Sequence, residues 1–477
     1  MSAFWSVARV TEALATAPSR VGGASADRAY TAVETDTRTL GAGALFVALR
    51  GERFDGHDFL PEAVARDVWG VVVDHRFWEV RADEAPAGPD YFIVPDTLEA
   101  LGWLGRERRR ALAARVCAIT GTNGKTAAKD MTRAVLATRY RVHATAANLN
   151  NLVGTPQTLL SAPDQTEVIV VEVGSNAPGE IARLGAVTEP DAAVITNVAE
   201  GHLEGLGDVE GVMREKLALV ESLRPDGVAL VGEEPLELAA RARALHARVR
   251  VAGYTERADQ ALRAGKVDVD EDGRPRFHWG EREVRLRYRG RHHVRNAMLA
   301  LGVGAEWGVD PGPALDALGA LEPPALRTQL IRYGDLRVLA DCYNANPPST
   351  EAAAELLAEL PRGGGRVAVL GSMLELGDAA AELHAETARR VALRDIDLIV
   401  ATGEFAGAFG ETPGSAEVID EVDPLRAGRA LAERLRGDEV VLLKGSRGVA
   451  LERLLPLLES VGRGESVGEN GERGAQY

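Results

Sequence analysis

Val116-Cys117-Ala118-Ile119-Thr120-Gly121-Thr122-Asn123-Gly124-Lys125-Thr126 is the stretch whose reading decides the fold. A short apolar run breaks into Gly-x-x-Gly-Lys-Thr and then into a helix-competent segment, the order of a phosphate-binding loop. Gly121 and Gly124 let backbone N–H groups approach phosphates, and the helix N-terminus that follows favours anions. Lys125 can reach the terminal phosphates, and Thr126 offers a hydroxyl to Mg²⁺. The general pattern has a glycine where this chain has Ile119, so the loop is a variant that begins at Gly121. An ordinary glycine turn capping a helix is the competing interpretation. The strand before and the amphipathic pattern after favour phosphate, and the stretch predicts binding of a nucleoside triphosphate.

The rest of the chain fits a globular class. Its 477 residues suggest three domains at about 150 residues each. With 45% hydrophobic and 26% charged residues there is apolar content for several cores. No uninterrupted apolar run approaches the roughly 18 residues of a membrane span, and Met1 to Ser19 has no basic n-region. A cytoplasmic protein without membrane insertion is expected, and a monomer. A net charge of −16 opposes nucleic acid; the densest basic run, Arg106 to Arg110, reads as a solvated helix face. Cys117 and Cys342 lack metal or disulfide spacing and read as reduced core residues.

Outward from the loop, strands alternate with helices, which implies crossover connections and an α/β fold with mostly parallel sheets. The N-terminal part, 1–113, reads as a small α/β unit. Its strands are expected at Tyr30–Glu34, Leu45–Leu49, Trp69–Asp74 and Tyr91–Val94, and a helix at Thr97 to Ala114. The central part, 114–322, carries strands at Glu167–Val173, Ala192–Asn197, Gly227–Val231 and Arg248–Gly253, with a β-hairpin at Lys266–Tyr288. A linker at Leu321-Glu322-Pro323-Pro324 opens the C-terminal part, 323–461, with strands at Leu336–Asp341, Arg366–Leu370, Ile396–Ala401 and Glu439–Lys444. Residues 462–477 read as a disordered tail.

One helix is unusual. Between Gly207 and Arg224, Val209, Val212, Met213, Lys216, Leu217 and Val220 share a face, which places Lys216 in an apolar stripe. A buried ammonium is costly, so such a lysine is paired, modified, or snorkels to the edge, and spacing alone favours snorkelling. Glu172 ends an apolar strand and His202 follows the strand end Thr196-Asn197. Ligands collect at the carboxyl ends of parallel strands, so both residues are expected to face the triphosphate, an arrangement suited to Mg²⁺. His202 alone reads equally well as an exposed loop residue.

Thr120 to Thr126, Asn148-Leu-Asn-Asn-Leu-Val-Gly-Thr-Pro156, Glu172, His202 and Lys216 together resemble, in order and spacing, the Mur ligases, ATP-dependent amide-forming enzymes of peptidoglycan synthesis. Asp341-Cys-Tyr-Asn-Ala-Asn-Pro347, Leu370-Gly-Ser-Met-Leu-Glu-Leu-Gly377 and Lys444-Gly-Ser-Arg447 are most similar to the member that joins D-alanyl-D-alanine to UDP-N-acetylmuramoyl-tripeptide through an acyl phosphate. The resemblance implies three domains: a UDP-binding one, a central P-loop ATPase-like one, and a C-terminal Rossmann-like one that closes over ATP. It implies that Gly121, Thr122, Asn123, Gly124 and Lys125 hold the phosphates and that Asn296 contacts adenine. Arg327 and Asp341 would hold phosphate and ribose, with Tyr343, Asn344 and Asn346 beside them. Two Mg²⁺ ions would be held by Thr126, Glu172, His202 and a carbamate on Lys216; Lys125, His202 and Lys216 are the implied catalytic residues. Thr37, Arg38, Asp55, Gly56 and His57 would hold the UDP-sugar end, and Asn148 and Asn151 are further implied substrate-binding residues, Asn151 near the metal and phosphates. Ser446 and Arg447 are candidates for the incoming dipeptide.

Three departures from the family pattern stand out: Thr37 where serine is usual, Ala127 and Ala128 where hydroxyl residues are common, and Gly201 where alanine is usual. Alternatives remain. A diamino-acid-adding relative would carry an Asp-Asn-Pro-Arg-type motif, absent here, and a folate polyglutamate ligase shares the fold. A P-loop GTPase would show Asn-Lys-x-Asp, also absent.

Overall fold

The computed structural model describes residues 4–19, 28–51, 53–410 and 414–465; the end of the expected tail, from 466, lies outside the described residues. The chain forms two compact units: 1–118 with 141–174 and 180–191, and 119–140 with 175–179 and 192 onward.

In the first unit, Val33–Glu34, Leu45–Val47, Gly70–Asp74 and Asp90–Val94 form a parallel four-stranded sheet in that order. Its strands are buried on both faces, as a parallel sheet between helices must be. Leu45, Val47 and Val72 join one core with Trp5, Val10 and Leu101, while Phe46, Val71 and Val73 join another with Leu60 and Phe77. The expected strand Tyr30–Glu34 is instead two short pieces: Ala29–Tyr30 pairs antiparallel with Trp5–Ser6, and Val33–Glu34 enters the sheet. Val142–Ala144 and Val168–Glu172 pair in parallel within this unit.

The strand Arg115–Thr120 starts in the first unit and ends in the second. In the second unit Ala192–Ile195, Val228–Gly232 and Val249–Ala252 are parallel neighbours. The apolar helix His292–Glu306 is buried along most of its length, as a core helix with no polar face should be. The expected hairpin is a three-stranded antiparallel meander, Gly265–Val269, Pro275–Trp279 and Arg282–Arg285, because a second turn at Gly280 lies inside the same stretch. The C-terminal sheet runs Gln329–Tyr333, Leu336–Asp341, Val440–Lys444, Arg366–Leu370, Leu398–Ala401, Glu417–Asp420; only the first pair is antiparallel. Cys117 and Cys342 are both buried free thiols, and burial pushes Cys342 up to about 12. Among the described residues no helix is long and apolar enough to cross a membrane.

Candidate active site

The phosphate loop owes its shape to both glycines. Gly121 has φ +141°, and a Cβ there would stand 2.0 Å from Thr196 Oγ1; Gly124 has φ +81°, and a Cβ there would stand 2.8 Å from Asn296 Oδ1. Gly124 caps the helix Lys125–Ala137, whose first N–H groups have no side-chain partner at the cap. Thr122 Oγ1 donates to Ala199 O and accepts from Ala199 N, and Asn123 N donates to Asn197 Oδ1, which ties the loop to the chain following Ala192–Ile195. Lys125 Nζ folds back onto Gly121 O at 2.8 Å and Thr122 O at 3.1 Å. Ala127 and Ala128 are buried under the first helical turn.

Residues of the C-terminal part reach this loop. Arg327 Nη2 donates to Thr126 Oγ1 at 3.1 Å, and its guanidinium lies 4.1 Å over the Tyr343 ring. Arg327 is presented by a turn in which Leu326 and Thr328 both have positive φ, a conformation that β-carbons disfavour. Asn123 and Asn346 exchange two amide hydrogen bonds, of 3.1 and 2.9 Å. Asn346 also caps the helix Pro347–Glu359 through a capping box with Ser349. Asp341 accepts from Thr328 N and pairs with buried Lys444 at 3.0 Å, and Lys444 donates to Asn344 O. Asn296 lies against Gly124, with its amide 3.3 Å from His293 Nδ1, and burial drives His293 well below its ordinary range.

His202 adopts φ +56° at the start of the short helix Leu203–Leu206, and its Nδ1 is 2.6 Å from Glu375 Oε2. The adjacent His202 imidazole holds the Glu375 carboxyl below its usual value. Lys216 is fully buried in the helix Val209–Glu221, so it does not snorkel, and its Nζ donates to Ser175 Oγ at 2.8 Å. Neighbouring Glu215 accepts from Gly179 N.

In the first unit, Asn151 Oδ1 accepts from Val153 and Gly154 N and starts the helix Gly154–Leu160; Asn148 O accepts from Asn150 N. Asn150 Nδ2 donates to Glu172 Oε1, while the buried Glu172 Oε2 has no hydrogen-bond partner among the described residues. A buried carboxylate with one lone acceptor, and a buried lysine amine, are donors that fit a hard cation and a carbamate. Among the described residues no cluster of three His, Cys, Asp or Glu side chains is assembled for a metal.

The N-terminal motif is more committed. Buried His57 receives Asp74 N on Nε2 at 3.1 Å, sets Nδ1 2.6 Å from Asp55 Oδ1, and stacks on Phe77. Arg50 bridges Asp55 and Asp74. A Cβ on Gly56 would stand 2.6 Å from Leu49 O. Thr37 is nearly buried, and exposed Arg38 forks onto Asp36. Ser446 is buried with Leu374 N and Ala345 O, whereas Arg447 is exposed and pairs with Glu452.

Sequence reasoning gave no role to Asn150, Ser175, Asn197, Glu375 or Lys444. Asn150, Glu375 and Lys444 stood inside motifs it quoted, and Asn197 was read as the end of a strand that in fact stops at Ile195; Ser175 carried no distinguishing signal.

Comparison with known proteins shows the family. Family profiles match in three consecutive segments: "Mur ligase family, catalytic domain" over 29–109, "Mur ligase middle domain" over 119–304, and "Mur ligase, glutamate ligase domain" over 326–447. The UDP-N-acetylmuramoyl-tripeptide–D-alanyl-D-alanine ligase of Bacillus subtilis (strain 168) is 36% identical over 436 residues, 90% of this chain and 93% of that protein. A crystal structure of MurF from Acinetobacter baumannii superposes with TM-score 0.84 at 28% identity, covering 96% of this chain and 99% of that one. MurF ligase from Thermotoga maritima, solved in complex with ADP, does so with TM-score 0.79 at 26% identity, over 91% and 98%. With a relative this similar along almost its whole length, and with the phosphate loop and its partners in place, the chain belongs to the Mur ligase family.

Proposed function

We propose that this chain is an ATP-dependent ligase that joins D-alanyl-D-alanine to UDP-N-acetylmuramoyl-tripeptide, releasing ADP and phosphate. One observation carries the reading: a phosphate loop held by Arg327 and Asn346, in a chain that matches ligases of that name over about nine-tenths of its length. The terminal carboxylate of the tripeptide attacks the γ-phosphorus of ATP, the bond to the β,γ-bridging oxygen breaks, and ADP leaves. The dipeptide amine then attacks the acyl phosphate, loses its proton, and phosphate departs.

Such chemistry is mostly positioning and charge neutralisation. The loop from Gly121 to Gly124 cradles phosphates, and Lys125 exchanges its bonds to Gly121 O and Thr122 O for the γ-phosphate. Arg327 adds a second cation, Asn296 faces the adenine, and Asp341, Tyr343, Asn344 and Asn346 shape the ribose side. When bound, two Mg²⁺ ions offset the charge of the triphosphate; Thr126, Glu172, His202 and a carbamate on Lys216 are the residues that would hold them. Thr37, Arg38, Asp55, Gly56 and His57 form the UDP-sugar end, with Asn148 also binding substrate, Asn151 near the metal and phosphates, and Ser446 and Arg447 toward the dipeptide. A cytoplasmic monomer of three domains, 1–113, 114–322 and 323–461, completes the reading.

Phosphate release with UDP-N-acetylmuramoyl-tripeptide and D-alanyl-D-alanine tests it. Turnover should need both substrates, and the UDP-linked dipeptide with a free diamino acid should give none; faster release with the latter pair overturns the assignment. Lys216→Ala should lose more than about 100-fold in rate and regain part of it with a small added carboxylate. An unimpaired variant would remove Lys216 from the site.

A further inference from the structure

We propose that Glu375 is the positioning residue that sets the ring orientation and tautomer of His202. Glu375 lies in Leu370-Gly-Ser-Met-Leu-Glu-Leu-Gly377, a motif to which the proposed reaction gives no role. Its Oε2 is 2.6 Å from His202 Nδ1, the distance of a hydrogen bond, and a small turn of the ring would align an N–H that as it stands has no hydrogen-bond partner among the described residues. The two backbones are fastened together as well: Glu204 N donates to Glu375 O at 3.2 Å, and a Cβ on Gly377 would stand 3.0 Å from Glu204 Cα. Leu203, Leu206, Met373 and Leu376 share one buried core, so the segments carrying the acid and the imidazole pack as a unit.

Both residues also hold conformations that side chains disfavour, His202 at φ +56° and Glu375 at φ +64°. A glutamate in the left-handed region costs free energy that glycine would avoid, and such strain is retained where a side chain must be aimed. The carboxylate can only accept, so the proton of a neutral His202 sits on Nδ1 and Nε2 is left as the free lone pair. A carboxylate behind a ligating histidine is the usual way to fix which nitrogen faces a cation. The orienting group comes from the C-terminal part and the imidazole from the central part, so the ring is set only when the two segments are packed together.

The metal-binding clause of this argument rests on the proposed role of His202; the tautomer clause does not. Full-length, metal-free protein labelled with ¹⁵N-histidine, at a pH above the ordinary imidazole pKa of about 6.5, reads the tautomer directly by NMR. The His202 signals are assigned by their loss in His202→Gln. We expect Nδ1–H in the unaltered chain and in Glu375→Gln, whose amide oxygen still accepts, and a shift toward Nε2–H in Glu375→Ala and Glu375→Gly. Glu375→Gly should keep or raise the melting temperature, since glycine suits φ +64°, while apparent Mg²⁺ affinity in phosphate release falls about 10–100-fold. An Nε2–H tautomer in the unaltered chain, or no shift in the alanine and glycine variants, overturns the proposal. A tautomer shift with unchanged Mg²⁺ dependence upholds it and instead removes His202 from the metal site.

Discussion

Asn123-Gly124-Lys125 and Asp55-Gly56-His57 look alike in sequence, each a glycine between polar residues next to an apolar strand, yet the folded chain uses them differently. Lys125, Thr126 and Asn123 are held by exchangeable partners: loop carbonyls, an arginine and another amide. A ligand offering phosphate oxygens can replace those partners at little cost, because charge-assisted bonds to phosphate are the stronger ones. His57 has both ring nitrogens engaged inside the first unit, and Gly56 is pressed against Leu49 O. Burial works to raise the Asp55 carboxyl, and the hydrogen bonds from His57 outweigh it. One motif holds its polar groups on partners that the proposed ligand can replace, and the other ties its imidazole into its own scaffold, so that in the proposed reaction His57 would act on the UDP-sugar end by fixing its loop.

Paired substitutions give the largest effect and break the comparison if it is wrong. Lys125→Ala should lower kcat about 100- to 1,000-fold while leaving the melting temperature close to that of the unaltered chain, because one preorganised cation at the transferring phosphate is removed. His57→Ala should do the reverse. It leaves a cavity beside Phe77, an unpaired Asp74 N–H and a less stabilised Asp55, a loss of about 2–4 kcal/mol, with kcat per folded molecule changed far less. Thermal unfolding and steady-state phosphate release on both variants check it; a stable but inactive His57→Ala would make His57 a direct substrate contact.

The layout of strands and helices was legible because period and punctuation are local properties. The loop at Gly121 could be read because strand, glycines and helix are consecutive, and the resemblance placed Glu172, His202 and Lys216 by spacing alone. The helix face put Lys216 in an apolar stripe, where spacing alone favours snorkelling, yet the side chain is fully buried; what the helix could not show is Ser175, which arrives from 41 positions away. Glu375 was invisible for the same reason, since its link to His202 spans more than 170 residues. The meander at 265–285 was misjudged because two turns, at Gly273 and Gly280, follow one another within eight residues and the second was not counted.

A smaller effect sharpens the loop's side of the comparison. Gly201, where family pattern has alanine, meets the loop directly: a Cβ there would stand 2.8 Å from Thr122 Cγ2 and 3.4 Å from Asn346 Nδ2. Gly201→Ala should therefore overpack the loop and cost about 1–3 kcal/mol. Adding Thr122→Ser removes the clashing methyl and keeps the hydroxyl bonded to Ala199, so the pair should recover most of the loss. Thermal melts of the two single variants and the double variant give the coupling; additive losses would mean that the contact relaxes elsewhere.

The smallest effect lies at the exposed edge of the N-terminal unit. Arg38 forks onto Asp36, and that hydrogen bonding, in side chain and then backbone, lowers the Asp36 carboxyl from its ordinary 3.8 to about 2. A folded-state value below the unfolded one favours the folded chain above the unfolded value, and the benefit fades as pH falls from near 3.8 toward 2. Arg38→Gln should bring Asp36 back toward 3.8 in a carboxyl NMR titration while the melting temperature at neutral pH barely moves, since solvent and salt screen an exposed ion pair. Exposed Arg38, unlike buried His57, is free to leave its partner for an anionic ligand, so UDP should protect it: with UDP bound, Asp36 should titrate closer to 3.8 even in the unaltered chain. An Asp36 titration indifferent to UDP would leave Arg38 as a surface ion pair, and the N-terminal motif as scaffold throughout.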